Sequence, residues 1–174
     1  QAEGSALRSA EPGRQVGAAL VNRAGSVLAL GTNEVPKFGG GQYWDEDEED
    51  AREFLRDRDT NRVQLSQIAE DILGVIRGSE RSRTEGKTDS DLDSNLALEQ
   101  LLETRLGDIT EFGRAVHAEM SAILDAAIRG VAISNSWAYT TTFPCHNCAR
   151  HLIGAGIERV VYISPYPKSA ALDL

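Results

Sequence analysis

The chain has 174 residues, 41% of them hydrophobic and 26% charged, a composition typical of one globular domain with a full core. Its formal net charge is −9, and its apolar stretches, such as "VGAALV", are too short to cross a membrane. The first fifteen residues lack the apolar segment of a signal peptide, so we expect a cytoplasmic protein with no membrane partner.

The negative charge is concentrated in residues 38–93, which hold 16 acidic and 8 basic side chains. The rest of the chain is nearly neutral, with 11 acidic and 10 basic side chains. An acidic surface without a basic stripe is a poor partner for duplex DNA or folded RNA, because their phosphates are repelled. We therefore expect no nucleic-acid partner, although a few well-placed donors can still hold a free nucleotide.

Residues 15–34 have the pattern of a β-hairpin. The stretches "QVGAALVN" and "SVLALGTN" are rich in strand-forming residues, and "RAG" between them places Gly25 in the turn.

Residues 35–112 have the composition of an insertion. The glycines of "FGGGQYW" predict a flexible run, and the acidic run after them predicts the start of a helix, because acidic residues favour a helix N-terminus. Helical spacing of apolar residues predicts a helix over 63–76, and a second helix is predicted over 95–108. The polar stretch 77–94 predicts a mobile loop. We interpret the acidic run as solvated surface, with a gate over the site or a divalent-ion site as alternatives.

The last zone alternates helices and strands. Helices are predicted over 116–130 and 145–156, and strands over 137–142 and 157–164. This order predicts a central sheet with helices packed on it. The apolar face assigned to the first of these helices consists of Ile123, Leu124, Ala127 and Ile128.

Two short clusters, "HAE" and "PCHNC", place a metal site at the starts of these two helices. Cys145 and Cys148 are three residues apart and share a helix face, and Pro144 suits a helix entrance. If the helices lie side by side, His117 and the two cysteines can bind zinc and leave a fourth position for water. Glu119 is then placed to move protons without ligating.

Other interpretations of these residues remain open. A Cys-x-x-Cys pair by itself is as consistent with redox chemistry or a structural zinc as with catalysis. His146 and His151 lie on the same predicted helix as the cysteines, and we do not assign either of them as a ligand.

At these residues the chain resembles the zinc-dependent cytidine/deoxycytidylate deaminase superfamily, whose signature is H-x-E followed by P-C-x-x-C. The resemblance implies an α/β fold of three αβα layers with a central mixed sheet, to which this chain adds the helical insertion. It also implies one Zn²⁺ per chain and hydrolytic deamination of cytosine, with Glu119 as the catalytic residue.

"GTNEVPK" and "TTFPC" are similar to the deoxycytidylate deaminase branch of that superfamily. The similarity implies that Asn33 contacts the sugar hydroxyl and that Ala118, Thr141 and Pro144 contact substrate. Asn33 is equally interpretable as a turn residue at a strand end, and Thr141 as an ordinary strand residue.

The stretches "FGGGQYWDEDEED" and "SPYPKSAALDL" resemble bacterial anti-phage dCTP/dCMP deaminases, longer proteins with a P-loop kinase-like domain. No GxxxxGK[ST] occurs here, and we interpret the chain as a domain cut from a longer protein. The resemblance implies deamination of dCMP or dCTP, nucleotide depletion in phage defence, and homo-oligomers. The alternatives are a polynucleotide deaminase, acting on DNA cytosine or transfer-RNA adenosine, and a binding module with a structural zinc.

Overall fold

The computed structural model describes residues 1–56, 59–81 and 91–172, with the backbone alone for 78–81 and 91–95. The chain forms two compact units, residues 1–56 with 114–174 and residues 57–113. Residues 35–56, which composition places with the insertion, therefore lie in the first unit.

Five α-helices, two short 3-10 helices (Glu53–Leu55 and Arg105–Asp108) and four strands are found in the described part of the chain. Helices α1 to α5 span Ala2–Ala6, Thr60–Arg81, Asp91–Leu102, Ala118–Ile128 and His146–Gly154. Strands β1 to β4 span Gly17–Val21, Val27–Thr32, Trp137–Thr142 and Arg159–Ser164. Among these helices, none is both long enough and apolar enough to cross a bilayer.

The four strands form one mixed sheet in the order β2-β1-β3-β4. Strand β1 pairs antiparallel with both β2 and β3, and β3 pairs parallel with β4. The predicted hairpin is confirmed: β1 and β2 are joined by a turn in which Gly25 has a φ of 86°. A parallel pair requires a crossover, and α5 supplies it between β3 and β4.

Helices cover both faces of this sheet, and two glycines allow them to approach closely. A Cβ at Gly17 would lie 2.0 Å from the Ala2 carbonyl oxygen of α1, and a Cβ at Gly31 would lie 2.1 Å from the Ala118 carbonyl oxygen of α4. Gly31 pairs with Ala18, the neighbour of Gly17, so the two glycines point to opposite faces. The three-layer α/β/α prediction is confirmed.

The core under α4 is built largely from alanine. The buried side chains of this cluster are Ala18, Leu20, Ala29, Ala118, Ala122, Ala126, Ala138 and Leu152. The predicted apolar face of α4 was wrong in part, because Leu124 and Ile128 are exposed and Ile123 is only partly buried. Small side chains face the sheet because α4 lies so close to β2 that larger ones would not fit.

The acidic run 45–50 does not begin a helix, contrary to the prediction. Three of its six carboxylates are instead held within the loop, since Lys37 pairs with Asp47, and the buried Arg52 guanidinium pairs with Asp45 and Asp50. These ion pairs compete with helix formation by satisfying the carboxylates locally. The lysine hydrogen bond also holds the pKa of the Asp47 carboxyl below its usual range.

The second unit contains the helices α2 and α3, both of which begin earlier than predicted. Leu65 and Ala69 of α2 are buried, and the Asn61 side chain donates to the Ile109 carbonyl and accepts from the Phe112 N–H. The mobile loop predicted over 77–94 is helical at both ends, and its centre, residues 82–90, lies outside the described residues.

Thr140 of β3 carries a buried hydroxyl with no hydrogen-bond partner among the described residues. An unsatisfied buried hydroxyl costs about 1–3 kcal/mol, so Thr140→Val is expected to raise the urea midpoint and the free energy of unfolding by about 1 kcal/mol. Thr32→Val is the matched control, because the buried Thr32 hydroxyl donates to the Val16 carbonyl at 3.4 Å and its removal should lower stability. A loss of stability in Thr140→Val as large as in the control would contradict this assignment.

Candidate metal centre and active site

Three potential ligands stand at the starts of two adjacent helices. His117 is the residue immediately before α4, and Cys145 is the residue immediately before α5. Cys148 lies in the first turn of α5, so it faces the same side as Cys145. The helices start two residues later than predicted for α4 and one residue later for α5, so that His117 and Cys145 are at capping positions. Capping residues have extended backbones, which turn their side chains away from the helix axis.

The three side chains converge to the separation that a small metal ion requires. His117 Nδ1 lies 3.4 Å from the Sγ atom of Cys145 and 3.4 Å from that of Cys148. All three ligand atoms lie within 4.8 Å of one another. Tetrahedral zinc, with bonds of about 2.0–2.1 Å to nitrogen and about 2.3 Å to sulfur, places such atoms roughly 3.6 Å apart. The donor set therefore fits zinc, and three protein ligands leave one position open.

The two thiols of the cluster have pKa values shifted in opposite directions. The pKa of Cys145 is lowered to about 4, because the Cys148 thiol hydrogen-bonds to its sulfur and the His117 imidazole adds a second hydrogen bond. The backbone N–H of Cys148 also donates to the Cys145 sulfur at 3.4 Å. The pKa of Cys148 is raised by the same contact between the thiols and by burial. The helix start thus stabilises one thiolate before any metal binds.

Glu119 lies in the first turn of α4 and is only 4% exposed. Burial raises the pKa of its carboxyl, and a hydrogen bond with the Cys148 thiol opposes that rise. Its carboxylate is not one of the three clustered ligands, although it touches one of them. This is the placement that a proton carrier beside a metal requires.

The four side chains expected to contact substrate lie in different surroundings. Ala118 is fully buried, and its side chain packs in the core under α4. Thr141 Oγ1 accepts a hydrogen bond from the Gly17 N–H at 3.1 Å, and the Pro144 carbonyl accepts one from Ser169 Oγ at 2.7 Å.

Asn33, the fourth of these residues, is only 8% exposed and is engaged with the backbone on both sides. Its Oδ1 accepts from the Val16 N–H at 2.6 Å, and its Nδ2 donates to the Arg14 carbonyl at 2.7 Å. An amide offers two donors and two lone pairs, so one N–H and one lone pair are left for a sugar hydroxyl.

The residues before β1 form a part of the site that sequence reasoning missed. This segment, residues 9–16, is called the strap below. Cys145 has the largest effect in raising the pKa of His117, and the carboxylates of Glu119 and of the strap residue Glu11 add to it. Glu11 thus adds negative charge to the surroundings of the imidazole. The turn residues of "EPGR" before the hairpin were the available signal, but helix α1 ahead of them is too short to show periodicity.

One cation of the strap is available to an anionic ligand. The exposed Arg14 guanidinium lies 5.7 Å from the centre of the Tyr166 ring, and within the described ranges it has no carboxylate partner. Lys37, four residues after Asn33, is paired with Asp47.

A cavity of about 600 Å³ lies elsewhere in the first unit. Its walls include Leu30 of β2, Leu124 of α4 and Trp44, and none of the three clustered ligands lines it. The chemistry is therefore assigned to the cluster of His117, Cys145 and Cys148 and not to this cavity.

Comparison with known proteins agrees with this geometry. The family model described as the cytidine and deoxycytidylate deaminase zinc-binding region matches residues 1–164. The chain belongs to this family. Zinc is accordingly the metal for which His117, Cys145 and Cys148 are placed.

Individual relatives match parts of the chain. A probable deoxycytidylate deaminase of Drosophila melanogaster is 47% identical over 49 residues, which are 28% of this chain and 23% of that protein. Human deoxycytidylate deaminase is 24% identical over 160 residues, which are 92% of this chain and 58% of that protein. Even where nearly the whole chain aligns with a relative, it spans little more than half of that relative's length.

Among solved structures, dCMP deaminase from the cyanophage S-TIM5, crystallised with dCMP and dUMP, has the same fold. The TM-score is 0.53 at 21% identity, and the match covers 99% of this chain and 82% of that chain. The apo form of that enzyme gives a TM-score of 0.51 at 19% identity.

Proposed function

We propose that this chain deaminates the cytosine of free deoxycytidine nucleotides, dCMP or dCTP, by hydrolysis to the uracil nucleotide and ammonia. The observation that carries the proposal is the buried Glu119 carboxyl beside the converging His117, Cys145 and Cys148 side chains. The relatives named deoxycytidylate deaminase add support for the substrate class.

The reaction needs a nucleophilic water and a proton transfer to the leaving amine. Zinc, when bound, supplies the Lewis acid that makes water nucleophilic near neutral pH. Glu119 accepts a proton from the attacking water and delivers it to the exocyclic nitrogen, which leaves as ammonia. The water contributes the oxygen at C4, so cytosine and water give uracil and ammonia with no other reactant.

The buried position of Glu119 suits it to carry a proton in both directions. Burial raises the pKa of its carboxyl, so the protonated form is less costly than it would be in water. A group whose pKa lies closer to neutrality can both take a proton and release it during one turnover. The same burial excludes bulk water from the path between the attacking water and the leaving amine.

The nucleotide has a sugar and a phosphate that need separate contacts. We assign the sugar hydroxyl to the remaining hydrogen-bonding capacity of Asn33 and the base to the surroundings of Ala118, Thr141 and Pro144. The phosphate is assigned to Arg14, whose carbonyl binds the Asn33 side chain and whose guanidinium lies near Tyr166. A guanidinium without a carboxylate partner binds phosphate with two parallel hydrogen bonds.

The charge distribution favours a free nucleotide over a polynucleotide. Residues 38–93 carry an excess of eight negative charges, and a polynucleotide would bring several phosphates toward the chain. The paired residues Asp45, Asp47 and Asp50 are partly neutralised, but no basic surface offsets Glu46, Glu48 and Glu49 in the described part of this loop.

Ammonia release should distinguish the two substrate classes. At equal cytosine concentration we expect dCMP or dCTP to react at least about tenfold faster than a cytosine-containing single-stranded oligonucleotide, with a larger difference at low salt. The Glu119→Ala protein, purified in the same way, is the blank for contaminating deaminases. Faster reaction on the oligonucleotide would replace this proposal with a polynucleotide deaminase.

The finer assignments follow from the resemblance to anti-phage deaminases. We propose that the enzyme acts in the cytoplasm as a homo-oligomer and depletes deoxycytidine nucleotides during phage infection, with a P-loop kinase-like domain as a fused partner in the longer protein. Comparing dCMP with dCTP in the same ammonia assay tests the number of phosphates. Unchanged deoxycytidine nucleotide pools in infected cells that express the protein would count against the defence role.

A further inference from the structure

We propose that Glu34 is a positioning residue that holds the strap, residues 9–16, against the active site so that Arg14 can meet the substrate phosphate. The inference rests on the proposed function, because it concerns how that site is assembled. Glu34 follows Asn33 at the end of β2 and is not part of the metal cluster.

The Glu34 side chain is a carboxylate enclosed by backbone donors. It is 1% exposed, and its Oε2 accepts from the Ala10 N–H of the strap at 2.7 Å. Its Oε1 accepts from the Val35 N–H at 2.9 Å. A buried carboxylate is costly unless its oxygens are satisfied, and here each oxygen is used by a different segment of the chain.

The backbone of Glu34 is tied to the residue that precedes the metal ligand His117. The Glu34 N–H donates to the Val116 carbonyl at 3.2 Å, and the Val116 N–H donates to the Glu34 carbonyl at 3.0 Å. Glu34 therefore connects the strap to the backbone beside the metal ligand His117. Its side chain binds the strap at Ala10, and its backbone binds Val116.

Asn33 anchors the rest of the strap at the same corner. The Ser9 hydroxyl donates to the Asn33 carbonyl at 2.8 Å, and the Asn33 side chain binds the Arg14 carbonyl and the Val16 N–H. The strap is thus attached near its start, where Glu34 and the Asn33 carbonyl hold it, and at its end. Loss of the Glu34 carboxylate should free the first half of the strap, which includes Glu11.

The position of Arg14 depends on this anchoring because few other contacts hold it. Arg14 is exposed, and its guanidinium contact is with the ring of Tyr166 in the C-terminal segment. A strap released near Ala10 would leave Arg14 held only by the Asn33 side chain at its carbonyl and by the Tyr166 ring at its guanidinium. Substrate binding should then weaken, while Glu119 and the zinc ligands stay in place.

The test uses Glu34→Gln in the zinc-loaded protein. Glutamine keeps the size of the side chain but has one oxygen for two N–H donors, so one donor then faces an amide NH₂ group. We expect the KM for dCMP to rise about tenfold, with kcat within about threefold of wild type and zinc still near one equivalent. We also expect amide hydrogen exchange across residues 9–16 to become at least about tenfold faster.

The control is Glu158→Gln, which removes the charge of an exposed carboxylate paired with Arg23 and should change none of these quantities. If Glu34→Gln fails to fold, Ser9→Ala is the second variant, because it removes the neighbouring strap anchor and should raise the same exchange rates and KM by a smaller factor.

The outcomes separate this inference from the proposed function. Faster strap exchange in Glu34→Gln together with a raised KM supports it. A lower unfolding midpoint with unchanged KM and unchanged strap exchange would overturn it, because Glu34 would then only stabilise the fold. Loss of zinc would also overturn it, since the residue would be holding the ligand segment. If the wild type does not deaminate dCMP, the proposed function fails, and strap exchange still decides whether Glu34 holds the strap.

Discussion

The Glu119→Ala variant is expected to keep its fold and its zinc and to deaminate dCMP about 10²- to 10⁴-fold more slowly than wild type, the usual loss when a general acid/base is removed. The carboxylate lies beside the ligand cluster and not within it, so the metal should remain. Because burial raises the pKa of this carboxyl, the folded protein bears a cost for its charged form. We therefore expect the unfolding midpoint of the variant to equal or exceed that of wild type.

Three measurements check this result: the rate of ammonia release, the zinc content and the thermal midpoint. Glu119→Gln is the isosteric companion, because it fills the same space and cannot shuttle the proton. Glu158→Gln again serves as the exposed control. Near-normal turnover in both Glu119 variants would show that another group carries the proton.

The Cys148→Ala variant is expected to lose both zinc and activity. Wild type purified from zinc-containing medium should hold about one equivalent, since its three ligand atoms fit one tetrahedral ion. Removing one thiolate leaves two ligands, and the remaining Cys145 and His117 should not retain the metal through purification. Metal analysis and ammonia release are the measurements.

His151→Ala is the matched control for this variant. His151 lies one turn beyond Cys148 on α5, is exposed, and hydrogen-bonds through Nδ1 to the Asn147 carbonyl at 2.6 Å. We expect it to keep one zinc and full activity. A wild type that is fully folded but free of zinc, or a Cys148→Ala protein that still holds one equivalent, would show that the metal assignment is wrong.

The ligand set was predictable because its determinants are local. A histidine before one helix, and a Pro-Cys-x-x-Cys at the entrance of the next, bring their side chains to helix starts through capping geometry alone. The structure moved the helix boundaries by one or two residues, and the three potential ligands still converge.

The face of α4 was not predictable from apolar periodicity. Its larger apolar residues, Leu124 and Ile128, are exposed, as is Ala127. The alanines that pack in the core are Ala118, Ala122 and Ala126. The reason is the distance between α4 and β2, which is set by Gly31 and leaves no room for a branched side chain. How closely α4 and β2 pack depends on the side chains of both elements, so the sequence of α4 alone does not predict which of its residues are buried.

The ion pairs of the acidic run 45–50 were likewise not predictable from the sequence. Acidic residues ahead of an apolar stretch favour a helix start, and here they form ion pairs with Lys37 and Arg52 instead. Arg52 is close in sequence, but Lys37 is ten residues from its partner Asp47. Which charges meet depends on how the glycine turns at 39–41 fold the loop back.

By itself the sequence determined the hairpin, the order of the strands and helices in the last zone, and the identity of the metal ligands, because each depends on periodicity or on spacing within a few residues. Only the tertiary structure decided which residues surround that centre. The strap, the hydrogen bonds of the Asn33 amide and the burial of Glu34 depend on segments that are distant in the chain. Ala10 and Glu34 are 24 residues apart, and Gly17 and Thr141 are 124 residues apart. Such hydrogen bonds form where the packed sheet brings backbone donors from distant parts of the chain beside a side chain, and no local sequence pattern predicts them.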